Sequence, residues 1–170
     1  FLNAVGLSDA GIEKAVQETF PEYIGEKLSL QSLVQNGQRR DRRPAPIIAN
    51  IVASSMDDFA RLTEEISKCD PDIIELNLGC PNVEDQHGKP FSCVADDAGK
   101  VVRMCRGRTR LPLIVKLTPN VADIATVARA CAAEGADGFC AINTLYGMGI
   151  DINLRRPILA NTSGGLSGPG

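Results

Sequence analysis

The sequence predicts an α/β fold, a partial (β/α)8 barrel in which about five of the eight strands are present. Short β-branched apolar runs alternate along the chain with amphipathic helical stretches, which is the rhythm of βαβ units. The runs are interpreted as strands buried on both faces, each followed by a helix, which is typical of a parallel sheet covered by helices. Each run also ends on Asn or Lys, which favours a barrel over an open sheet.

Four predicted strands cover residues 46–50, 72–77, 112–116 and 138–143, and residues 1–3 are interpreted as the tail of an earlier strand. An open sheet gathers ligand-binding residues at its topological switch point, whereas a barrel brings all strand ends to one mouth. A single strand-terminal Asn is usually a turn former. A succession of polar ends favours the barrel, and these ends are Asn3, Asn50, Asn77, Lys116 and Asn143.

The helical stretches carry caps and apolar stripes. Ser55 with Asp58 resembles a capping box, and Gly135 fits a helix C-cap. Three stripes are predicted to face the sheet. They are Ile12, Val16 and Phe20 after Ser8, then Phe59, Leu62 and Ile66, and finally Ile124, Val127, Ala128 and Cys131.

Charge and composition argue against several classes of function. Lys and Arg total 18 against 21 Asp and Glu, so the net charge is -3 and no nucleic-acid partner is expected. No apolar stretch reaches the roughly 20 residues of a membrane helix and nothing reads as a signal peptide, so we expect no membrane association and a cytoplasmic location. The six cysteines form no CxxC or CxxH spacing, so no local zinc or iron–sulfur site is expected.

Residues 1–170 are expected to form the central part of a single domain, truncated at both ends, since the chain opens on Phe1 rather than Met and stops within a loop. Residues 36–46 hold four arginines and are predicted to be a solvated loop, with a phosphate- or partner-facing patch as the alternative. Residues 161–169 are predicted to be a Gly-rich loop able to present N–H groups to an anion or a cofactor edge.

The polar strand ends point to a ring-shaped ligand. A carboxamide offers a donor and an acceptor in one plane, which suits the edge of a planar heterocycle such as a pyrimidine or a flavin. Lys116 adds a cation at the same mouth, useful for stabilising negative charge on a reduced cofactor. A strand-end salt bridge is the alternative interpretation of Lys116.

Residues 77–82, NLGCPN, place a thiol directly after a strand in a loop shaped by Gly and Pro. We expect Cys80 to face the cleft and to act as nucleophile or general base. A nucleophile usually needs a His partner, and the one His is His87, in a polar loop. Four other cysteines are interpreted as small buried apolar residues, namely Cys69, Cys105, Cys131 and Cys140.

Six segments carry a family resemblance: residues 3–7 (NAVGL), 48–50 (IAN), 75–82 (ELNLGCPN), 115–120 (VKLTPN), 142–145 (INTL) and 164–169 (GGLSGP). Jointly they resemble the class 1 dihydroorotate dehydrogenases, and within them the type B catalytic subunit. The resemblance covers essentially the whole chain.

This resemblance implies an FMN-binding barrel that oxidises dihydroorotate to orotate in pyrimidine biosynthesis. Cys80 would be the base that takes the C5 proton while a hydride leaves C6 for the flavin. The resemblance further implies a homodimer, and residues 143–147 resemble type B, which passes electrons to NAD through a partner subunit bearing FAD and an iron–sulfur cluster. Substrate contacts would come from Asn3, Ala4, Val5, Gly6, Leu7, Asn77, Asn82, Asn143 and Thr144, and FMN contacts from Asn50, Asn77, Lys116, Ile142 and Gly168.

The sequence departs from the family at Gly79, where many members carry a hydroxyl residue, and in residues 85–95, which should include the lid over Cys80. Three alternatives stay open. One is a dihydropyrimidine dehydrogenase-like subunit, which has the same Asn-rich ring site. The others are a tRNA-dihydrouridine synthase, which needs a basic RNA-binding surface, and a non-catalytic barrel subunit in which Cys80 is structural.

Overall fold

The computed structural model of the chain describes residues 2–3, 11–37, 45–79 and 91–168. Most of its elements alternate between strand and helix, and a group of short strands follows. In chain order the described elements are β1 (Leu2–Asn3), α1 (Gly11–Lys14), a π-helical turn (Ala15–Thr19), α2 (Phe20–Gln35), β2 (Ile48–Ile51), α3 (Met56–Ser67), β3 (Ile73–Asn77), a 3-10 turn (Phe91–Cys93), α4 (Ala95–Arg106), β4 (Leu113–Lys116), α5 (Ile124–Ala133), β5 (Gly138–Cys140), β6 (Leu145–Gly147), β7 (Ile150–Asp151), β8 (Arg156–Pro157) and β9 (Gly164–Leu166).

The central feature is a parallel sheet of four strands in the order β2-β3-β4-β5. Each strand pairs with the next one along the chain, and α3, α4 and α5 make the connections. Crossovers between parallel strands are right-handed, so sequential order places all three helices on one face. Contacts of α3 with α4 and of α4 with α5 agree with this placement. The parallel sheet confirms the predicted α/β class, and its four strands do not close on themselves within the described residues.

The core lies between the sheet and these helices. Ile74, Leu76, Leu113 and Val115 are fully buried on the sheet side, and Phe59 is fully buried on α3. Burying an aliphatic or aromatic side chain of this size stabilises the fold by about 1.5–3 kcal/mol relative to exposure. The core is therefore built from alternate residues of β2, β3 and β4, and the other residues of these strands face the opposite side.

The predicted caps and stripes are confirmed in α3 and α5. The Ser55 hydroxyl accepts a hydrogen bond from the Asp58 backbone N–H at 3.1 Å and donates to the Asp58 carboxylate at 2.7 Å. Asp123 caps α5 by accepting from the Ala125 N–H at 2.9 Å. Gly135 has a φ of +100°, a conformation suited to glycine at the end of a helix.

The first helical region is longer than its apolar stripe. Ile12, Val16 and Phe20 are partly buried against the core, as predicted, but the helix continues through α2 to Gln35. Lys27 on α2 forms an ion pair with Asp72, and this partner holds the pKa of the Asp72 carboxyl below its usual range. The contact ties α2 to the start of β3.

Three predicted strand assignments were wrong. β1 pairs antiparallel with β9, through Asn3 and Gly165, so Asn3 does not end a strand of the parallel sheet. The last parallel strand stops at Cys140 rather than Asn143, and β2 runs one residue past Asn50. Residue type alone locates an apolar run, but hydrogen-bond pairing decides where a strand ends and which sheet it joins.

Residues 161–169, predicted to be a loop, contain a strand. β9 pairs with both β1 and β6 in a small antiparallel sheet. A Cβ on Gly165 would lie 2.9 Å from the Cβ of Thr144, so this close approach requires glycine. Among the helices of the described ranges, none has the length and apolar character of a membrane span, and the cytoplasmic location stays a prediction.

Candidate active site

The side of the parallel sheet that faces away from the helices, here called the open face, carries most of the polar residues predicted at the strand ends. Residues paired in a parallel register share a face, and Asn50 pairs with Glu75 while Asn77 pairs with Lys116. Lys116 pairs in turn with Cys140. Two successive rows of polar groups therefore cross the open face near the carboxyl ends of β2 to β5.

Asn77 and Asn143 meet at this edge although Asn143 lies beyond its strand. The Asn143 amide Nδ2 donates to Oδ1 of Asn77 at 3.1 Å, and Asn77 is only 9% exposed. The Asn143 backbone N–H donates to the Leu117 carbonyl at 2.8 Å, and its Oδ1 accepts from the Thr144 N–H at 2.8 Å. These bonds fix the plane of the Asn143 carboxamide against the end of β4.

Lys116 is half-buried at the end of β4 and has no ion-pair partner within residues 11–37, 45–79 and 91–168. The described part of the chain therefore offers no support for the alternative of a strand-end salt bridge. An ammonium group at this position, one strand from the Asn77 amide, can face an electron-rich or anionic ligand.

Glu75 and Cys140 also lie on the open face, and the sequence analysis did not single out either as a site residue. Asn50 donates to the Glu75 carboxylate through its side-chain amide. Burial raises the pKa of the Cys140 thiol, and the neighbouring Glu75 carboxylate raises this pKa further. Strand alternation could have found Glu75, because it stands two residues before Asn77 on the same strand, whereas the face of Cys140 follows only from its pairing with Lys116.

Four cysteines were predicted to be buried apolar residues, and this prediction is correct for two of them and wrong for the other two. Cys105 and Cys131 are fully buried, and burial raises the pKa of each to about 11. Cys69 and Cys140 are only half-buried. Cys140 differs because its position on β5 faces the open side, whereas Cys105 on α4 and Cys131 on α5 lie in the core between the helices and the sheet.

The loop that begins at Cys80 leaves the sheet beside these polar rows. Leu78 and Gly79 before it and Phe91 and Ser92 after it are buried. The Ser92 hydroxyl and N–H both donate to the Leu78 carbonyl, at 2.8 and 3.2 Å, which joins the two ends of the loop. A Cβ on Gly79 would lie 2.8 Å from the Thr118 backbone nitrogen, so glycine is required at this departure from the family pattern.

Several predicted site residues lie outside the described residues. These are Ala4, Val5, Gly6, Leu7, Cys80, Asn82 and His87, together with the arginines at 39, 40, 42 and 43 and most of residues 85–95. Of Asn3 only the backbone pairing is described. Ile142 is 48% exposed, and Gly168 is exposed with a φ of +111°. The functional roles of all these residues stay predictions.

A further polar residue, Asn120, connects the segments that follow β4 and β5. Its Nδ2 donates to the Thr118 hydroxyl at 2.9 Å and to the Thr144 carbonyl at 3.1 Å. Its Oδ1 accepts from the Tyr146 N–H at 2.8 Å. The residue belongs to the segment VKLTPN, and two of its three partners, Thr144 and Tyr146, are distant in sequence. Within the described residues, no group of three or more His, Cys, Asp or Glu side chains could hold a metal ion.

Comparison with known proteins agrees with this arrangement. A family profile described as dihydroorotate dehydrogenase matches residues 1–170. The catalytic subunit of dihydroorotate dehydrogenase B (NAD(+)) from Shouchella clausii is 40% identical over 168 residues, covering 98% of this chain and 49% of that protein. The proteins of the same name from Geotalea daltonii and Pelobacter propionicus are 41% and 42% identical over 170 residues, covering 99% of this chain and 50% of each protein.

The chain thus spans about half the length of the curated relatives it matches. Among solved structures, the carboxyl transferase domain of Rhizobium etli pyruvate carboxylase aligns with a TM-score of 0.43 and 14% identity over 68% of this chain and 18% of that one, a likeness too low to support any argument. The family match extends along the whole chain, and the motif that precedes Cys80 lies at the carboxyl edge of the parallel sheet. The chain therefore belongs to the dihydroorotate dehydrogenase family, and within it resembles the type B catalytic subunits.

Proposed function

We propose that the protein containing this chain oxidises dihydroorotate to orotate in pyrimidine biosynthesis, with Cys80 as general base and FMN as hydride acceptor. The observation that carries the proposal is the meeting of Asn77, Asn143 and Lys116 at the carboxyl edge of the sheet, where the loop to Cys80 begins. Family membership supports the same reaction.

The open face would be the inside of a barrel. Sequential strand order with all helices on one face is the arrangement of consecutive strands in a (β/α)8 barrel. Residues 1–170 would form the central part of that single domain, and the remaining strands would come from chain that the relatives carry in addition. Closure would enclose the polar rows of the open face in one pocket.

Asn77 and Asn143 would bind the substrate ring. Their carboxamides are fixed in orientation by the bond between them, so little conformational entropy is lost when a planar pyrimidine is bound. Thr144, adjacent to Asn143, and residues 3–7 and Asn82 would supply further contacts. Positioning of the ring would hold its C5 proton toward the Cys80 loop, and the Cys80 thiolate would take that proton.

The described residues fit an FMN ring. Lys116 has no carboxylate partner among the described residues. Asn50 and Asn77 face the same side of the sheet as Lys116. Two carboxamides and one ammonium group would therefore be available to the edge of the ring. Ile142 and Gly168 would contribute contacts from outside the sheet. When bound, FMN would accept the hydride that leaves C6 of dihydroorotate. Lys116 would stabilise negative charge at that edge.

The relatives are named as catalytic subunits that use NAD(+). By that resemblance, the protein would act as a homodimer and would pass electrons to NAD through a partner subunit bearing FAD and an iron–sulfur cluster. A cytoplasmic location would suit this chemistry.

The proposal is tested by replacing Cys80 in the full-length protein. Cys80→Ala is expected to slow the bleaching of flavin absorbance by dihydroorotate by about 100-fold or more, which is the usual contribution of a general base, while the flavin content is unchanged. Cys69→Ala is the matched control, because this thiol lies half-buried between α3 and β3, and its rate should equal that of the unmodified protein.

An unchanged rate for Cys80→Ala would show that Cys80 is not the base. Faster recovery of the absorbance of reduced flavin with uracil than with orotate at equal concentration, or activity on tRNA, would instead select one of the related pyrimidine- or tRNA-modifying families.

A further inference from the structure

We propose that Asn120 is a positioning residue that sets the affinity for the pyrimidine substrate by holding Asn143 and Thr144 in place. The inference rests on the proposed function, because it takes Asn143 and Thr144 as substrate contacts. Asn120 is not itself placed against the substrate. It acts through the backbone of the segment that follows β5.

Asn120 is anchored on a buried group. Thr118 is 1% exposed, and its hydroxyl accepts hydrogen bonds from both the N–H and the Nδ2 of Asn120, at 3.2 and 2.9 Å. This pair fixes the side chain of Asn120 relative to the end of β4. From there its carboxamide reaches across to the neighbouring segment.

The same carboxamide bonds to two backbone groups on either side of Leu145. Nδ2 donates to the Thr144 carbonyl at 3.1 Å, and Oδ1 accepts from the Tyr146 N–H at 2.8 Å. Asn suits this position because it offers a donor and an acceptor in one plane. An Asp could accept from Tyr146 but would set a carboxylate oxygen against the Thr144 carbonyl oxygen.

The positions of Asn143 and Thr144 depend on bonds at both ends of the pair. On the amino side, Asn143 bonds to Asn77 and to the Leu117 carbonyl. On the carboxyl side, Asn120 holds the Thr144 carbonyl. Removing the Asn120 bonds would leave the first anchor intact, so the segment would stay folded but would sample more orientations. Substrate affinity is the property that such freedom lowers.

The test uses the full-length, FMN-loaded protein and the variants Asn120→Ala and Asn120→Asp. The dissociation constant of orotate, read from the change in flavin absorbance, and the KM for dihydroorotate are expected to rise about 5- to 20-fold, the loss typical of one or two hydrogen bonds. The kcat at saturation, the FMN content and the thermal midpoint should change little. Asn153→Ala is the matched control, since the Asn153 side chain is exposed in a turn far along the chain, and it should leave the orotate affinity unchanged.

Asn120→Asp adds a pH readout that a purely structural role would not give. A protonated Asp can donate to the Thr144 carbonyl, so its affinity deficit relative to the unmodified protein should shrink as the pH falls from 8 toward 5, while the deficit of Asn120→Ala stays constant. Unchanged orotate affinity in both variants, or a deficit accompanied by equal loss of FMN, would overturn the positioning role. If the unmodified protein fails to bind orotate, the proposed function falls and this inference falls with it.

Discussion

Gly79 shows how one residue controls the approach to the Cys80 loop. It is buried at the end of β3, and the backbone of Leu117 and Thr118 passes directly over the place where a side chain would begin. The constraint comes from a neighbouring strand end, so the backbone itself must move if a methyl group is added. Gly79 thus packs directly between the ends of β3 and β4.

Gly79→Ala is expected to destabilise the protein by about 1–3 kcal/mol, because the added Cβ would lie 2.8 Å from the Thr118 nitrogen. The free energy of urea-induced unfolding measures the effect. Gly25→Ala is the matched control, since a Cβ on Gly25 within α2 meets nothing within 4 Å and should stabilise the helix by up to about 1 kcal/mol. An unchanged free energy of unfolding for Gly79→Ala would contradict the close packing at this position.

The polar strand ends predicted that Asn77, Asn143 and Lys116 would lie at one edge, and the structure brings them there. Glu75 and Asn120 were missed for different physical reasons. Glu75 reads as an ordinary charge inside an apolar run, and only the register with Asn50 reveals its partner. Asn120 bonds to the backbone of residues 24 and 26 positions away, and no local pattern indicates these two partners.

Helices of the described chain fall into two kinds. α3, α4 and α5 bury one face against the sheet, whereas α2 has no buried residue among those described. Stripes on α3 and α5 were therefore visible in the sequence. The extension of the first helical region to Gln35 was not, because the side chains of α2 are at most half-buried and its apolar residues form no regular stripe.

Ser55→Ala is expected to lower the free energy of unfolding by about 1 kcal/mol, because the first turn of α3 loses the side chain that accepts from the Asp58 N–H. Equilibrium unfolding in urea, or the thermal midpoint, measures the change. Ser54→Ala is the control, since Ser54 is exposed one residue before the cap and should alter stability by less than about 0.5 kcal/mol. Equal losses for the two variants would argue against a specific capping role for Ser55.

Large apolar side chains are exposed on β5 and in the segment from β6 to β8. On the helix-facing side of β5, Phe139 is 42% exposed at the edge of the sheet. In the segment from β6 to β8 several large apolar side chains are also exposed, including Ile150 at 60% and Ile152 at 82%. Since the chain spans about half the length of its relatives, exposure of the sheet edge fits the proposal that further strands adjoin β5 in the complete protein.

Alkaline pH is expected to destabilise the protein through its two buried thiols. Burial raises the pKa of Cys105 and of Cys131 from 9.0 to about 11. The unfolded chain therefore loses these protons at lower pH than the folded protein, so the stabilising effect is complete below pH 9.0 and is lost as the pH rises through about 11.

Urea midpoints of the full-length protein at several pH values between 8 and 11 measure this loss. The double variant Cys105→Ala with Cys131→Ala lowers stability at every pH because it leaves cavities, but its midpoint should fall less steeply with pH. Parallel pH profiles for the two proteins would show that other groups govern the alkaline transition.

The α/β class, the caps and apolar stripes of α3 and α5, and the family could be predicted from the sequence, because these follow from periodicity and from short motifs that act over a few residues. Tertiary structure alone decided that β1 and β9 pair antiparallel, that Asn3 lies outside the parallel sheet, and that Cys140 faces the open side. It also decided the bonds of Asn120 and the lack of space at Gly79. These features depend on register and on contacts between segments far apart in the chain, which local residue preferences do not encode.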